Sequence, residues 1–181
     1  MEMHLKLFTQ KQSRTKLLAK DITLMALMVA IIEVCKVTLA SIPNVELTSF
    51  WIIMFTLYFG KRIFYVIPAF ILIESVMYPF GLWLVMYLYA WPLLAIAVLL
   101  LKKRNNIWDM AILSGIFGLL FGFLCAIPYL FISGPAGAIT YWIAGIPFDL
   151  IHGVANFIIM LVLYYPIRTA MAHTKQLEKF S

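Results

Sequence analysis

LWLVMYLYAWPLLAIAVLLL, residues 82 to 101, runs for twenty positions without a charged side chain, and KKRNN at 102 to 106 closes it. About twenty apolar residues is the length at which an α-helix crosses the roughly 30 Å hydrocarbon core of a bilayer. A basic cluster at one end of such a run marks the side that stays in the cytoplasm. The rest of the chain repeats the pattern. Of its 181 residues 64% are hydrophobic and 12% are charged, and the mean hydropathy is +0.98, more apolar than one soluble core requires.

Outward from that run, the apolar stretches sort into six expected spans: Ile22 to Ala40, Leu47 to Gly60, Ile63 to Tyr78, Leu82 to Leu101, Ile107 to about Ile132, and Ile146 to Tyr165. SIPNVE at 41 to 46 and PFG at 79 to 81 are expected turns, and 133 to 145 an expected loop containing GPAGA. The fifth run exceeds one bilayer thickness, so it tilts or projects. The fold class is thus an all-α integral membrane protein of six transmembrane helices with both termini cytoplasmic. Its expected parts are a basic leader over 1–20, a membrane domain over 21–167 and a polar tail over 168–181. No cleavable signal peptide is expected, because the first apolar run follows about twenty polar residues and no small-residue cleavage pattern succeeds it.

The net charge of +6 (14 basic minus 8 acidic) reads as topology rather than nucleic-acid binding. Thirteen of the 14 basic residues lie in the leader, at Lys61 and Arg62, in the 102 to 106 loop or in the tail, all on one side of a six-span arrangement; Lys36 is the exception. Cys35 and Cys125 lie within apolar runs and imply no disulfide framework.

Ionisable groups within apolar runs are the candidates for function, since each costs about 2.5–3.5 kcal/mol to place at the centre of a span. Glu33 and Lys36, three apart on the first span, are placed either to neutralise each other within the helix or to serve a functional site. Asn44 and Glu46 occupy the first outer loop, where an exposed helix entry explains them as well as substrate contact does. Glu74, five residues before Pro79, either snorkels to the interface or lines a pocket mouth. Asp149, His152 and Asn156 recur on one stripe of the last span, either contacting substrate or bonding to neighbouring helices. Aromatic residues at the same level, among them Trp83, Tyr87, Tyr141 and Trp142, suit a flat ligand or an interfacial belt.

Small residues recur every fourth position at Ala26 and Ala30, and at Ser114, Gly118, Gly122 and Ala126. Such rows let helix backbones approach. The second reads as internal packing; the first serves either an internal neighbour or a partner protein. No G-x-x-x-x-G-K-[ST] loop, H-E-x-x-H or G-x-S-x-G occurs, so no enzyme activity, metal site or cofactor is expected. A small proton-coupled carrier using Glu33, Glu74 or Asp149 is one reading, although paired broken helices of an inverted repeat do not appear.

IPNVEL at 42 to 47, YPFGLW at 78 to 83 and GIPFDLIHGVANF at 145 to 157, with the Ala26/Ala30 motif and the six-span pattern, make the whole chain resemble the substrate-binding S components of energy-coupling factor (ECF) vitamin transporters of bacteria. The resemblance implies an importer subunit in the bacterial cell membrane that captures a vitamin at its outer face. Its partners would be a transmembrane coupling subunit, packed on Ala26 and Ala30, and two ATPases. By that analogy the subunit topples in the membrane to release its ligand inside. Cobalamin-type members are the nearest in these segments, and riboflavin, folate, pantothenate or a queuosine precursor are alternative substrates. The expected binding residues are Lys36, Asn44, Glu46, Glu74, Trp83, Tyr87, Tyr141, Trp142, Asp149, His152 and Asn156.

Overall fold

The computed structural model describes residues 19–103 and 106–180, with side chains through 172. Most of the leader expected over 1–20, with Lys6, Lys11, Arg14 and Lys16, lies outside the described residues, as do Arg104 and Asn105. α1 (Ala19–Leu39) leads through a tight loop to α2 (Thr48–Phe59), and a 3₁₀ turn at Gly60–Arg62 joins α2 to α3 (Ile63–Met77). α4 (Leu82–Leu101), α5 (Ile107–Leu119), α6 (Phe121–Ile132) and α7 (Gly134–Phe180) follow, with no strand among the described residues. Five helical segments are long and apolar enough to cross a membrane: Ala19–Leu39, Thr48–Met77, Leu82–Leu101, Ile107–Ile132 and Gly134–Ala172. Large apolar side chains such as Val76, Leu100 and Phe131 point outward, as they do when the surrounding solvent is lipid. The protein is an all-helical, membrane-embedded body.

The segment Thr48–Met77 is a hairpin. Gly60, at φ 60°, takes a left-handed conformation that side chains other than glycine resist, and the chain reverses there. Arg62, at the start of α3, pairs with Asp21 at the start of α1 at 2.6 Å, whereas Glu74, near the end of α3, pairs with Lys36 near the end of α1. α3 therefore runs alongside α1 in the same direction. α2 runs the other way: its first turn meets α1 at Cys35, whose Sγ accepts from Trp51 Nε1 at 3.2 Å, while Tyr58 at its far end donates to the Arg168 carbonyl of α7 at 3.0 Å. Buried on nearly every face from Thr48 to Leu57, α2 is the central post, and an apolar surface all round is what such a position requires. The two legs hold 12 and 15 residues, short of the roughly twenty that span a bilayer alone.

Two further elements differ from the sequence reading. The run 107–132 is two helices, broken at Leu120. There the Gly122 N–H is taken by the Asp149 carboxylate at 2.9 Å, which replaces the carbonyl an unbroken helix would offer. The loop expected over 133–145 is helical. Gly134, at φ 68°, makes the whole reversal, Pro135 suits a first helical turn, and α7 then runs for 47 residues with Pro147 and Pro166 inside it. The tail expected over 168–181 continues this helix to Phe180.

α5 and α6 lie antiparallel along α7 with little between their backbones. A Cβ added at Gly118 would stand 2.8 Å from the Gly153 Cα, so this crossing needs glycine on α5. Gly118→Ala is expected to cost about 1–3 kcal/mol by overpacking, seen as a lower unfolding midpoint of the purified protein in detergent. Gly145→Ala, whose added Cβ meets nothing within 4 Å, is the matched control and is expected to leave the midpoint unchanged or slightly raised.

Candidate functional site

A cavity of about 510 Å³ opens at the end of the body where α1 and α3 finish and α4 begins. Its rim is the loop from Ala40 to Glu46, folded by backbone bonds from Ile42 N to the Leu39 carbonyl (2.9 Å) and from Val45 N to the Ile42 carbonyl (3.3 Å). Pro43 and Asn44 sit at the middle of the second turn, with Asn44 at φ 60°. Proline followed by a residue of positive φ is the pattern of a type II turn, and asparagine tolerates that conformation better than most side chains. The opposite rim is Tyr78 and Pro79, and Trp83, Tyr87, Phe121 and His152 complete the walls with Lys36 and Glu74.

Lys36 does not pair mainly with Glu33, as the i, i+3 spacing suggests, but reaches across to Glu74 on α3. Parallel packing of the two helices sets the carboxylate level with the ammonium. The Lys36 Nζ also lies 3.3 Å from the Tyr87 hydroxyl and 5.1 to 5.6 Å from the ring centroids of Phe70, Tyr78 and Tyr87. A desolvated cation is held well by such faces. Glu33 lies one turn earlier on α1, where its carboxyl interacts with both Glu74 and Lys36.

Glu46 holds the other polar corner. Its Oε2 accepts from Thr48 Oγ1 at 3.3 Å, and its Oε1 lies 3.5 Å from His152 Nε2, which makes no hydrogen bond although His152 is only 4% exposed. Burial pushes the Glu46 carboxyl above the usual carboxylate range, outweighing the opposing effects of Lys36 and the Thr48 hydroxyl. Phe121 stands edge-on to the His152 ring at 5.1 Å, and Trp83 edge-on to Tyr87 at 5.4 Å.

Seven of the residues expected to bind substrate line this cavity: Lys36, Asn44, Glu46, Glu74, Trp83, Tyr87 and His152. Four lie elsewhere. Asp149 caps Gly122, and Asn156 donates to Ser49 Oγ at 3.2 Å and to the Ser114 carbonyl at 3.5 Å, so two members of the polar stripe fasten helices. Tyr141 stacks on Tyr129 at 4.2 Å and Trp142 meets Phe123 at 5.3 Å, both on the α6–α7 hairpin away from the cavity. Phe121 is a wall residue that no sequence signal marks, because it sits in an apolar run beside a helix break that only the structure reveals. Pro79 was visible only as a turn, and Tyr78 as the end of the third span and one of the aromatic residues suited to a flat ligand or an interfacial belt.

Compared with protein-family models, with characterised proteins and with solved structures, the chain finds no match.

The raised pKa of Glu46 has a measurable sign. A carboxyl whose folded pKa exceeds its unfolded value adds stability when protonated and loses that contribution as pH rises through the folded pKa. Glu46→Gln is therefore expected to melt higher than the parent near about pH 8, with the gap closing toward about pH 4 as Glu46 itself becomes neutral. Thermal shift across that range in detergent is the measurement, and a parent as stable as the variant at alkaline pH would contradict the burial penalty.

Proposed function

We propose that this chain is the substrate-binding membrane subunit of an ECF-type importer of the bacterial cell membrane, capturing a vitamin or cofactor precursor in the Lys36–His152 cavity. Delivery then requires a separate coupling subunit and two ATPases. The cavity carries the reading: a polar chamber walled by aromatic rings, at one end of an apolar helical body, with the His152 Nε2 buried and unbonded. Burying that nitrogen without a partner costs free energy, which a bound ligand donating to it would offset.

Two further observations support it. Ala26 and Ala30 are exposed on the outside of α1, beside Leu27 and Val34, so that small-residue row is turned to the bundle's exterior, where a partner helix could meet it. Lys61, Arg62, Lys102 and Lys103 lie at the end of the body opposite the cavity, the added Cβ of Gly60 standing 3.7 Å from Lys102 Nζ. With basic residues on the cytoplasmic side, the cavity faces outward. Counting α2 and α3 as separate crossings then gives six, with both termini inside.

The segments that resemble cobalamin-type members keep cobalamin among the substrates of this proposal. A cavity of about 510 Å³, however, is the size that encloses a drug-sized ligand, and a corrinoid with its pendant nucleotide would stand largely outside it. Riboflavin, folate, pantothenate and a queuosine precursor are closer in size. A second reading, a small proton-coupled carrier, draws on the neighbouring Glu33 and Glu74 carboxyls inside the body.

Uptake into proteoliposomes separates the two. Accumulation that requires ATP and added coupling subunits is the expected result, and accumulation by this chain alone under a proton gradient would establish the carrier instead. Ala30→Trp is expected to abolish coupled uptake while ligand affinity, measured by titration, stays within about a factor of two, well under 1 kcal/mol. Undiminished uptake by this variant would remove Ala30 from the coupling surface.

A further inference from the structure

We infer that the cavity selects a compact, flat nitrogen heterocycle that presents a cationic or N–H-donating edge, and that it discriminates against anions. This rests on the capture function proposed above and adds the chemistry of the captured molecule. Besides His152 and the tyrosine hydroxyls, the ionisable groups on the walls are Lys36, Glu46 and Glu74, one basic and two acidic.

The positive group is already committed. Lys36 is bound to Glu74 and covered by three aromatic rings, so an anionic ligand would have to displace an internal carboxylate from it and would also meet Glu46. Glu46 is not so committed: within hydrogen-bonding distance it has only the Thr48 hydroxyl. Its Oε1 and the His152 Nε2, 3.5 Å apart, form a carboxylate and imidazole side by side, which is the complement of a ligand edge with two adjacent nitrogens, as in an amidine or an aminopyrimidine. Trp83, Tyr87 and Phe121 add ring faces that favour a planar cation. The volume of about 510 Å³ suits a ligand of drug size.

The test uses the full chain in lipid nanodiscs, titrated with two cationic heterocycles, thiamine and 7-aminomethyl-7-deazaguanine, and two anions, pantothenate and folate. At least one cation is expected to bind about tenfold or more tighter than either anion. Glu46→Gln, checked for monodispersity, is expected to weaken that cation about tenfold or more, the loss that goes with one charge-assisted hydrogen bond. An anion binding as tightly as the better cation, a cation indifferent to Glu46→Gln, or binding of none of the four would overturn the inference and leave substrate capture standing.

Discussion

Where α5 crosses α7, Gly118 and Gly153 bring two backbones together with no side chain between them, and the cavity's inner wall follows from that approach. In lipid the hydrophobic effect does not press helices together, so close packing and buried hydrogen bonds must hold them. The short separation at Gly118 lets Asp149, one turn before Gly153 on α7, reach the Gly122 N–H. That bond accommodates the break at Leu120, which turns Phe121 toward His152. A wall of the cavity is thus set by two glycines and a carboxylate that do not line it.

The buried polar residues divide by what they bond. Asp149 and Asn156 reach backbone or hydroxyl groups on neighbouring helices, and fasten α7 to α6, α2 and α5. Lys36 and Glu74 satisfy each other across α1 and α3, an arrangement that joins two helices and supplies part of the cavity surface at once. His152 and Glu46 stand beside each other at the cavity wall, with the His152 Nε2 unbonded, and the proposed recognition chemistry is assigned there.

Much of this architecture was legible in the residues. Runs such as 82–101 have the length and composition of a membrane helix whatever surrounds them, and Gly60 beside Lys61 and Arg62 marked the hairpin turn. The spacing of Asp149, His152 and Asn156 correctly placed them on one stripe, but a stripe about three turns long faces more than one neighbour: its middle meets the cavity while its ends meet α6 and α2. Lys36 illustrates the same limit. Its sequence neighbour Glu33 was within reach, yet the partner was fixed by the parallel packing of α3, a tertiary fact. The helix through 134–145 was concealed by glycine and proline, which signal a loop in water; here Gly134 alone makes the reversal and the residues after it propagate the helix.

The loop over the cavity carries one more consequence. Pro43 has a fixed φ, Asn44 is already in the left-handed conformation, and short backbone bonds tie the loop to the end of α1. A rim built this way loses little conformational freedom when a ligand settles beneath it, so more of the contact energy is kept as affinity. It also makes a poor lid. If the cavity captures substrate as proposed, release then falls to movement of the helices themselves, with the doorway fixed while the room around it changes shape.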